Sequence, residues 1–317
     1  METYEKLGSF YLGKTVAMDG LGQAPELVLY DSKDLTTHAV IIGMTGSGKT
    51  GLGVALLEEA LLDKIPVIAI DPKGDITNLA LTFPGLQAED LKPWVNPQEA
   101  LAKGKTVEAY AADEARKWTD GLAQWGQNPE RIARLKAAAE LTIYTPGSSA
   151  GASVSLLRRF NAPPAVVIDD PDLFSERIET TTSSLMALLD LEAEPLSSRE
   201  HILVANIFSH TWREGQGLDL AGLIQAIQNP PFERVGIMNL DSFYPAKDRF
   251  ALAMRINNLL AAPGFSAWLE GTPLSIPDLL HTSTGQPRAS VFTISHLSDA
   301  QRMFFVSMLL NELLGLS

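Results

Sequence analysis

The chain has 317 residues, a formal net charge of −13 at pH 7 and no cysteine. A hydrophobic fraction of 45% supplies enough apolar side chain for a buried core and excludes a wholly disordered chain. The lack of cysteine excludes disulfide frameworks, thiolate zinc sites and cysteine nucleophiles, and it favours a cytoplasmic location. No apolar run reaches the ~18 residues of a membrane-spanning helix, so no membrane partner is expected. The acidic charge means that any contact with nucleic acid needs a local basic patch.

Short apolar runs rich in β-branched residues predict an α/β fold with a parallel sheet. Four buried strands are predicted, over residues 39–42, 66–70, 141–144 and 289–294. Leucines at helical spacing within residues 51–64 predict an amphipathic helix between the first two strands. Because strand, crossover helix and strand form a βαβ unit, we expect parallel strands that are covered on both faces.

The predicted elements divide the chain into four parts. These are an N-terminal β segment over 1–36, the first part of the core over 37–160, a helical insertion over 161–285, and a later strand and helix of the core over 286–317. In the first part, residues 10–12 and 27–30 predict a short β-hairpin docked at the sheet edge. From about residue 169 to residue 280 strand signals almost vanish, which predicts an all-α insertion.

Several helix boundaries are marked in the sequence. Residues 197–200 and 298–301 each have a serine three positions before Glu or Gln, which is the spacing of a capping box at a helix start. Further helices are predicted over 128–140 and 248–260, and Gly315 is predicted to follow the end of the last helix.

The clearest motif is a phosphate-binding loop over residues 43–50, which matches G-x-x-x-x-G-K-[ST] in full. Its glycines let successive backbone N–H groups point at phosphate oxygens, and the following helix adds its positive N-terminal end. Lys49 is predicted to bridge the β- and γ-phosphates, and Thr50 to offer its hydroxyl to Mg²⁺. The predicted nucleotide-binding residues are Gly43, Met44, Thr45, Gly46, Ser47, Gly48, Lys49 and Thr50.

A carboxylate near the metal is also needed, and Asp71 is the leading candidate. It ends an apolar strand, where side chains line the nucleotide crevice of such sheets, and it is therefore predicted as a catalytic residue and Mg²⁺ ligand. The alternative is a residue that only shapes the turn after the strand. The spacing D-x-x-G at residues 71–74 also fits GTPases, but the chain has no N-K-x-D motif, which favours ATP.

Two other polar sites have competing interpretations. Asp169 and Asp170 imitate the acidic end of a Walker B strand, but Pro171 follows, which favours Asp170 as a helix N-cap. Ser295 and His296 end the last predicted strand, where polar groups can sense a γ-phosphate, although a surface histidine with a satisfied hydrogen bond is favoured.

Residues 38–50 and 67–75 together resemble the HerA/FtsK branch of P-loop ATPases, in particular the bacterial HerA-like ATP-binding proteins. The resemblance continues through residues 245–249 and 296–305. It implies a RecA-like P-loop NTPase core, ATP and Mg²⁺ as cofactors, and residues 43–50 as the Walker A loop.

The resemblance also implies homo-oligomeric rings, usually hexamers, that pump or unwind duplex DNA, some of them beside a nuclease or another effector. In this family the Walker B strand follows the helix that here ends near Leu314, which implies a chain truncated before its catalytic glutamate. A neighbouring subunit is expected to supply an arginine, for which Arg199, Arg249 and Arg255 are candidates on predicted helices.

Two functions of different classes follow. The first is an ATPase subunit of a ring that translocates or unwinds duplex DNA. The alternative is an ATP-binding interaction module with little turnover, which the acidic charge and the expected truncation favour. A small-molecule kinase is disfavoured because no arginine-rich lid segment follows the core.

Overall fold

A computed structural model describes residues 4–15, 26–156 and 160–314. The chain forms two compact units. The first contains the part up to Thr142 together with Asp278–Val291, and the second contains Ile143–Pro277 together with the part from Phe292 onward. Within the described ranges, no helix combines the length and hydropathy needed to cross a bilayer.

The strands and helices are numbered in chain order. The strands are β1 Ser9–Lys14, β2 Leu27–Asp31, β3 Val67–Asp71, β4 Glu140–Tyr144, β5 Val154–Ser155, β6 Arg234–Val235, β7 Met238–Asn239, β8 Thr272–Pro273 and β9 Arg288–Thr293. The helices are α1 Lys49–Leu62, α2 Ala88–Leu91, α3 Pro97–Ala102, α4 Val107–Gln124, α5 Pro129–Ala138, α6 Ala165–Ile168, α7 Pro171–Leu188, α8 Arg199–Arg213, α9 Leu220–Gln228, α10 Leu240–Phe243, α11 Ala246–Ala261, α12 Ile276–Leu280 and α13 Asp299–Leu314.

The main sheet has three parallel strands in the order β3, β9, β4. Three of the four predicted strands are thereby confirmed, and so is the predicted helix that became α1. One core cluster joins α1, β3 and β9 and is formed by Leu61, Val67, Ala69, Leu79, Ala289 and Val291. The α/β class follows from this layer of helix on parallel sheet.

The predicted strand over residues 39–42 is wrong. Residues 38–44 have no regular structure, and Val40 and Ile42 are 79% and 88% exposed. No described strand pairs with this run. An apolar β-branched run becomes a buried strand only where a partner strand and a covering layer exist, and the described residues provide neither here.

The predicted N-terminal hairpin is confirmed, because β1 and β2 pair antiparallel with a bulge between Tyr11 and Gly13. Its predicted position at the sheet edge is wrong, since β1 and β2 form a separate two-stranded sheet. The hairpin instead contacts α1, where the Tyr11 N–H donates to Glu59 Oε2 at 2.9 Å.

The second unit is mainly helical, with α7, α8, α9, α11 and α13 as its longer elements. The expectation of an all-α insertion needs a small correction, because residues 161–285 also contain the two-residue strands β6, β7 and β8. Phe160, Phe208 and Trp212 form an aromatic cluster in its core, with the rings of Phe208 and Trp212 stacked at a centroid distance of 4.9 Å.

The helix boundaries agree largely with the sequence. The capping box before α13 is confirmed, because Ser298 and Gln301 each accept the other's backbone N–H. The cap of α8 lies one residue later than predicted, at Ser198, whose Oγ accepts the His201 N–H. The helices predicted over 128–140 and 248–260 correspond to α5 and α11, while Gly315 lies outside the described residues.

Candidate functional site

The loop over residues 43–50 leads directly into α1, and its glycines meet two different requirements. Gly46 and Gly48 have φ angles of +80° and +88°, in the left-handed region that favours glycine. At Gly43 a side chain would overlap the Ser47 hydroxyl. The positive φ angles thus require glycine at positions 46 and 48, while a Cβ at position 43 would force the Ser47 side chain to move.

Among the described residues, no side chain caps the first N–H groups of α1. Gly48 is the N-cap residue and offers no side-chain acceptor, and the first turn has no acidic residue. Side chains cap α3, α4, α5, α7, α8 and α9, whereas α6 and α11 start after prolines and, like α1, have no side-chain cap. The first N–H groups of a helix carry partial positive charge, so the exposed start of α1 is suited to an anion.

Lys49 folds back over the loop. Its ammonium donates to the carbonyl oxygens of Gly43 and Met44, both at 2.7 Å. A full positive charge therefore lies against the loop that leads into α1. Thr50 is exposed, and its hydroxyl has no hydrogen-bond partner among the described residues. A hydroxyl in this state is suited to a hard cation such as Mg²⁺.

Asp71 is 1% exposed at the end of β3, and both of its carboxylate oxygens are used by the loop that follows. Oδ1 accepts the N–H groups of Lys73 and Gly74 at 3.2 and 2.8 Å. Oδ2 accepts those of Ile76 and Thr77 at 2.8 and 3.3 Å. The alternative of a turn-shaping residue describes this geometry, while the roles of catalytic group and Mg²⁺ ligand stay predictions.

The other polar candidates have structural partners. Asp170 is the N-cap of α7 and accepts the N–H groups of Asp172 and Leu173, which confirms the helix-cap interpretation. His296 is an exposed residue whose Nε2 lies 2.9 Å from the Pro146 carbonyl oxygen, as favoured from the sequence.

The three candidate arginines differ in environment. Arg199 stacks over the ring of Tyr244, at 5.0 Å from its centroid. Arg249 is 6% exposed and donates to Asp241 Oδ1 and the Tyr244 carbonyl oxygen at 2.8 and 2.7 Å. Arg255 is exposed on α11, and its guanidinium forms no ion pair with any described residue. Only Arg255 is therefore accessible and unengaged.

Sequence patterns missed a buried ion-pair network on the helix behind the loop. Arg131 of α5 donates to Glu59 Oε1 at 2.6 Å and to Glu5 Oε1 at 2.9 Å. Burial alone would raise the pKa of Glu5, but hydrogen bonds from Arg134 and Arg131 outweigh it and lower the pKa. The sequence feature that could have indicated this network is the pair Glu58 and Glu59 within the apolar run of α1.

Glu58 has the most perturbed acidic group near the loop helix. Burial raises its pKa to about 7, an effect that Arg131 opposes and Glu59 reinforces. A carboxyl group with this pKa is partly protonated at neutral pH, so α1 carries a half-buried group that titrates near pH 7.

Comparison with known proteins gives one family match. Residues 10–141 match the family model described as the central domain of helicase HerA. No curated protein sequence matches the chain. The matched segment contains the hairpin, the loop over residues 43–50, α1 and the Asp71 loop. The motif over residues 43–50 and this match agree, and both indicate that the matched segment, which is less than half of the chain, is similar to HerA-type P-loop ATPases.

Proposed function

We propose that the chain is the ATP-binding subunit of a HerA/FtsK-type ring ATPase that couples ATP hydrolysis to translocation on, or unwinding of, duplex DNA. A homo-oligomeric ring of hexameric type, a nuclease or other effector partner and a cytoplasmic location belong to this proposal. The observation that carries it is the uncapped start of α1 behind residues 43–50, with the Lys49 ammonium beside it.

The chain's own groups suggest how nucleotide binds. The N–H groups at the start of α1 would hold the phosphates, and Lys49 would exchange the carbonyl oxygens of Gly43 and Met44 for phosphate oxygens. Thr50 offers its free hydroxyl to Mg²⁺, which neutralises phosphate charge when it is bound. Hydrolysis further requires a group that orients water and an arginine, for which the exposed Arg255 is the best placed of the three candidates.

The alternative is an ATP-binding interaction module with little turnover. The state of Asp71 favours it, because all four N–H contacts to its carboxylate come from its own loop. A carboxylate held in this way has to lose hydrogen bonds before it can serve a metal or a water.

Steady-state ATP hydrolysis with and without duplex DNA separates the two. A DNA motor hydrolyses ATP faster when duplex DNA is added, and the stimulation falls steeply with salt because phosphate contacts release counterions. Lys49→Ala should abolish both basal and stimulated turnover, while Lys33→Ala, at an exposed position of the same unit, should change neither. Nucleotide binding without DNA-stimulated turnover would support the module.

A further inference from the structure

The loop after β3 carries a second lysine, Lys73, and hydrogen bonds hold the backbone of this loop in place. Asp71 accepts four backbone N–H groups of this loop, those of residues 73, 74, 76 and 77. The Thr77 hydroxyl adds a hydrogen bond to the Gly74 carbonyl oxygen at 2.6 Å. Gly74 has a φ of +87°, which reverses the chain where a side chain would be strained.

Lys73 is the basic residue that this loop presents to solvent. Its N–H is bound by Asp71, so its Cα is fixed, but the side chain is exposed. Within the described ranges, the Lys73 ammonium forms no hydrogen bond or ion pair. A buried carboxylate thus holds in place a loop whose outward group is a free ammonium on a long, flexible stem.

The fold brings this loop to the same end of α1 and β3 as the phosphate loop. Residues 63–66 connect the two elements, and Leu61, Val67 and Ala69 pack in one cluster, so β3 runs back along α1. With about 1.5 Å per helical residue and about 3.3 Å per strand residue, α1 extends about 21 Å and β3 about 16 Å. The start of α1 and the end of β3 therefore lie at nearly the same height.

We propose that Lys73 contacts the terminal phosphate of the nucleotide held by residues 43–50, and that Asp71 is the positioning residue that aims it. This inference rests on the proposed nucleotide binding. Lys49 is held next to the loop, from which it is predicted to bridge the β- and γ-phosphates. An ammonium that reaches in from the β3 loop adds charge at the outer phosphate, so it distinguishes ATP from ADP.

Calorimetric titration of the full chain with Mg-ATP and Mg-ADP tests this. Lys73→Met should weaken ATP at least about tenfold and leave ADP within about twofold, while Lys33→Met leaves both unchanged. Asp71→Asn should lower the ATP preference as well, and the double variant should be no worse than the weaker-binding single variant, because both act through one contact.

Each other outcome overturns a different claim. A Lys73→Met protein that binds ATP like the wild type, or that loses ATP and ADP equally, overturns the role of Lys73. Asp75 is the exposed carboxylate of the same loop, and loss of the ATP preference in Asp75→Asn but not in Lys73→Met would likewise overturn the role of Lys73. A wild-type chain that binds neither nucleotide overturns the proposed function, and with it this inference.

Discussion

At the scale of single residues, the glycines of the first unit separate loop geometry from helix propensity. A Cβ on Gly43 would overlap the Ser47 hydroxyl, whereas a Cβ on Gly53, inside α1, would meet nothing within 4 Å. Gly43→Ala should therefore displace the loop and weaken Mg-ATP binding about tenfold or more. Gly53→Ala should raise stability by about 0.5–1 kcal/mol, because alanine favours helix.

Calorimetric titration and thermal unfolding of the two variants check this pair. The loop variant should keep the melting temperature within a few degrees of the wild type, and the helix variant should keep its nucleotide affinity. If Gly43→Ala binds Mg-ATP as tightly as the wild type, the described loop path does not determine binding.

The carboxyl group of Glu58 makes the stability of the folded chain depend on pH. Its pKa is about 7 in the folded chain, mainly because of burial, against an ordinary value of 4.5. Between these values the folded state binds more protons than the unfolded state, so stability falls as pH rises from about 4.5 through about 7. Glu58→Gln lacks this loss and should gain about 1–3 kcal/mol on the wild type between pH 5 and pH 8.

Denaturant unfolding of wild type and Glu58→Gln at several pH values measures the difference. Glu26→Gln, at an exposed position of the same unit, is the control and should follow the wild type. A stability difference between Glu58→Gln and wild type that stays constant from pH 5 to pH 8 would contradict a raised pKa.

At the scale of elements, Arg131 of α5 links α1 to the N-terminal segment. It joins Glu59 of α1 to Glu5, and its side chain is only 8% exposed. Arg131→Met leaves two nearly buried carboxylates without their shared cation and should cost about 3–5 kcal/mol. Arg134→Met removes a half-exposed partner of Glu5 and should cost no more than about 1 kcal/mol.

Chemical denaturation of the two methionine variants provides the comparison. Both remove an arginine of α5, so helix propensity and charge change alike. Similar losses of unfolding free energy in the two variants would show that the buried ion pairs of Arg131 do not stabilise the packing of α1.

Elements with a clear local sequence pattern could be predicted from the sequence. The leucines of α1, the β-branched runs of β3 and β9 and the Ser298 cap were each recognisable from local patterns. The run over residues 39–42 has the same local pattern, but burial requires neighbours that a local pattern cannot supply.

In the candidate site, too, some features could be predicted from local sequence and others could not. The eight-residue motif predicted the phosphate loop because its chemistry lies in consecutive backbone groups. The hydrogen bonds from its own loop to the Asp71 carboxylate could not be predicted. The same sequence allows a carboxylate after a strand to face either a metal or its own loop. The contacts of Arg131 with Glu59 and Glu5 join residues 72 and 126 positions apart, and no short motif encodes such separations.

At the scale of the whole molecule, the central claim is that residues 43–50 hold a nucleotide triphosphate. A ligand that binds only the folded chain stabilises it, by about 2.7 kcal/mol at 100 times its Kd. That gain corresponds to a rise of several degrees in the melting temperature of a chain this long.

Thermal unfolding of wild type and Lys49→Ala with and without Mg-ATP tests this claim most directly. Mg-ATP should raise the melting temperature of the wild type by several degrees and leave that of Lys49→Ala unchanged. An equal rise in both proteins, or no rise in the wild type at saturating Mg-ATP, would contradict it.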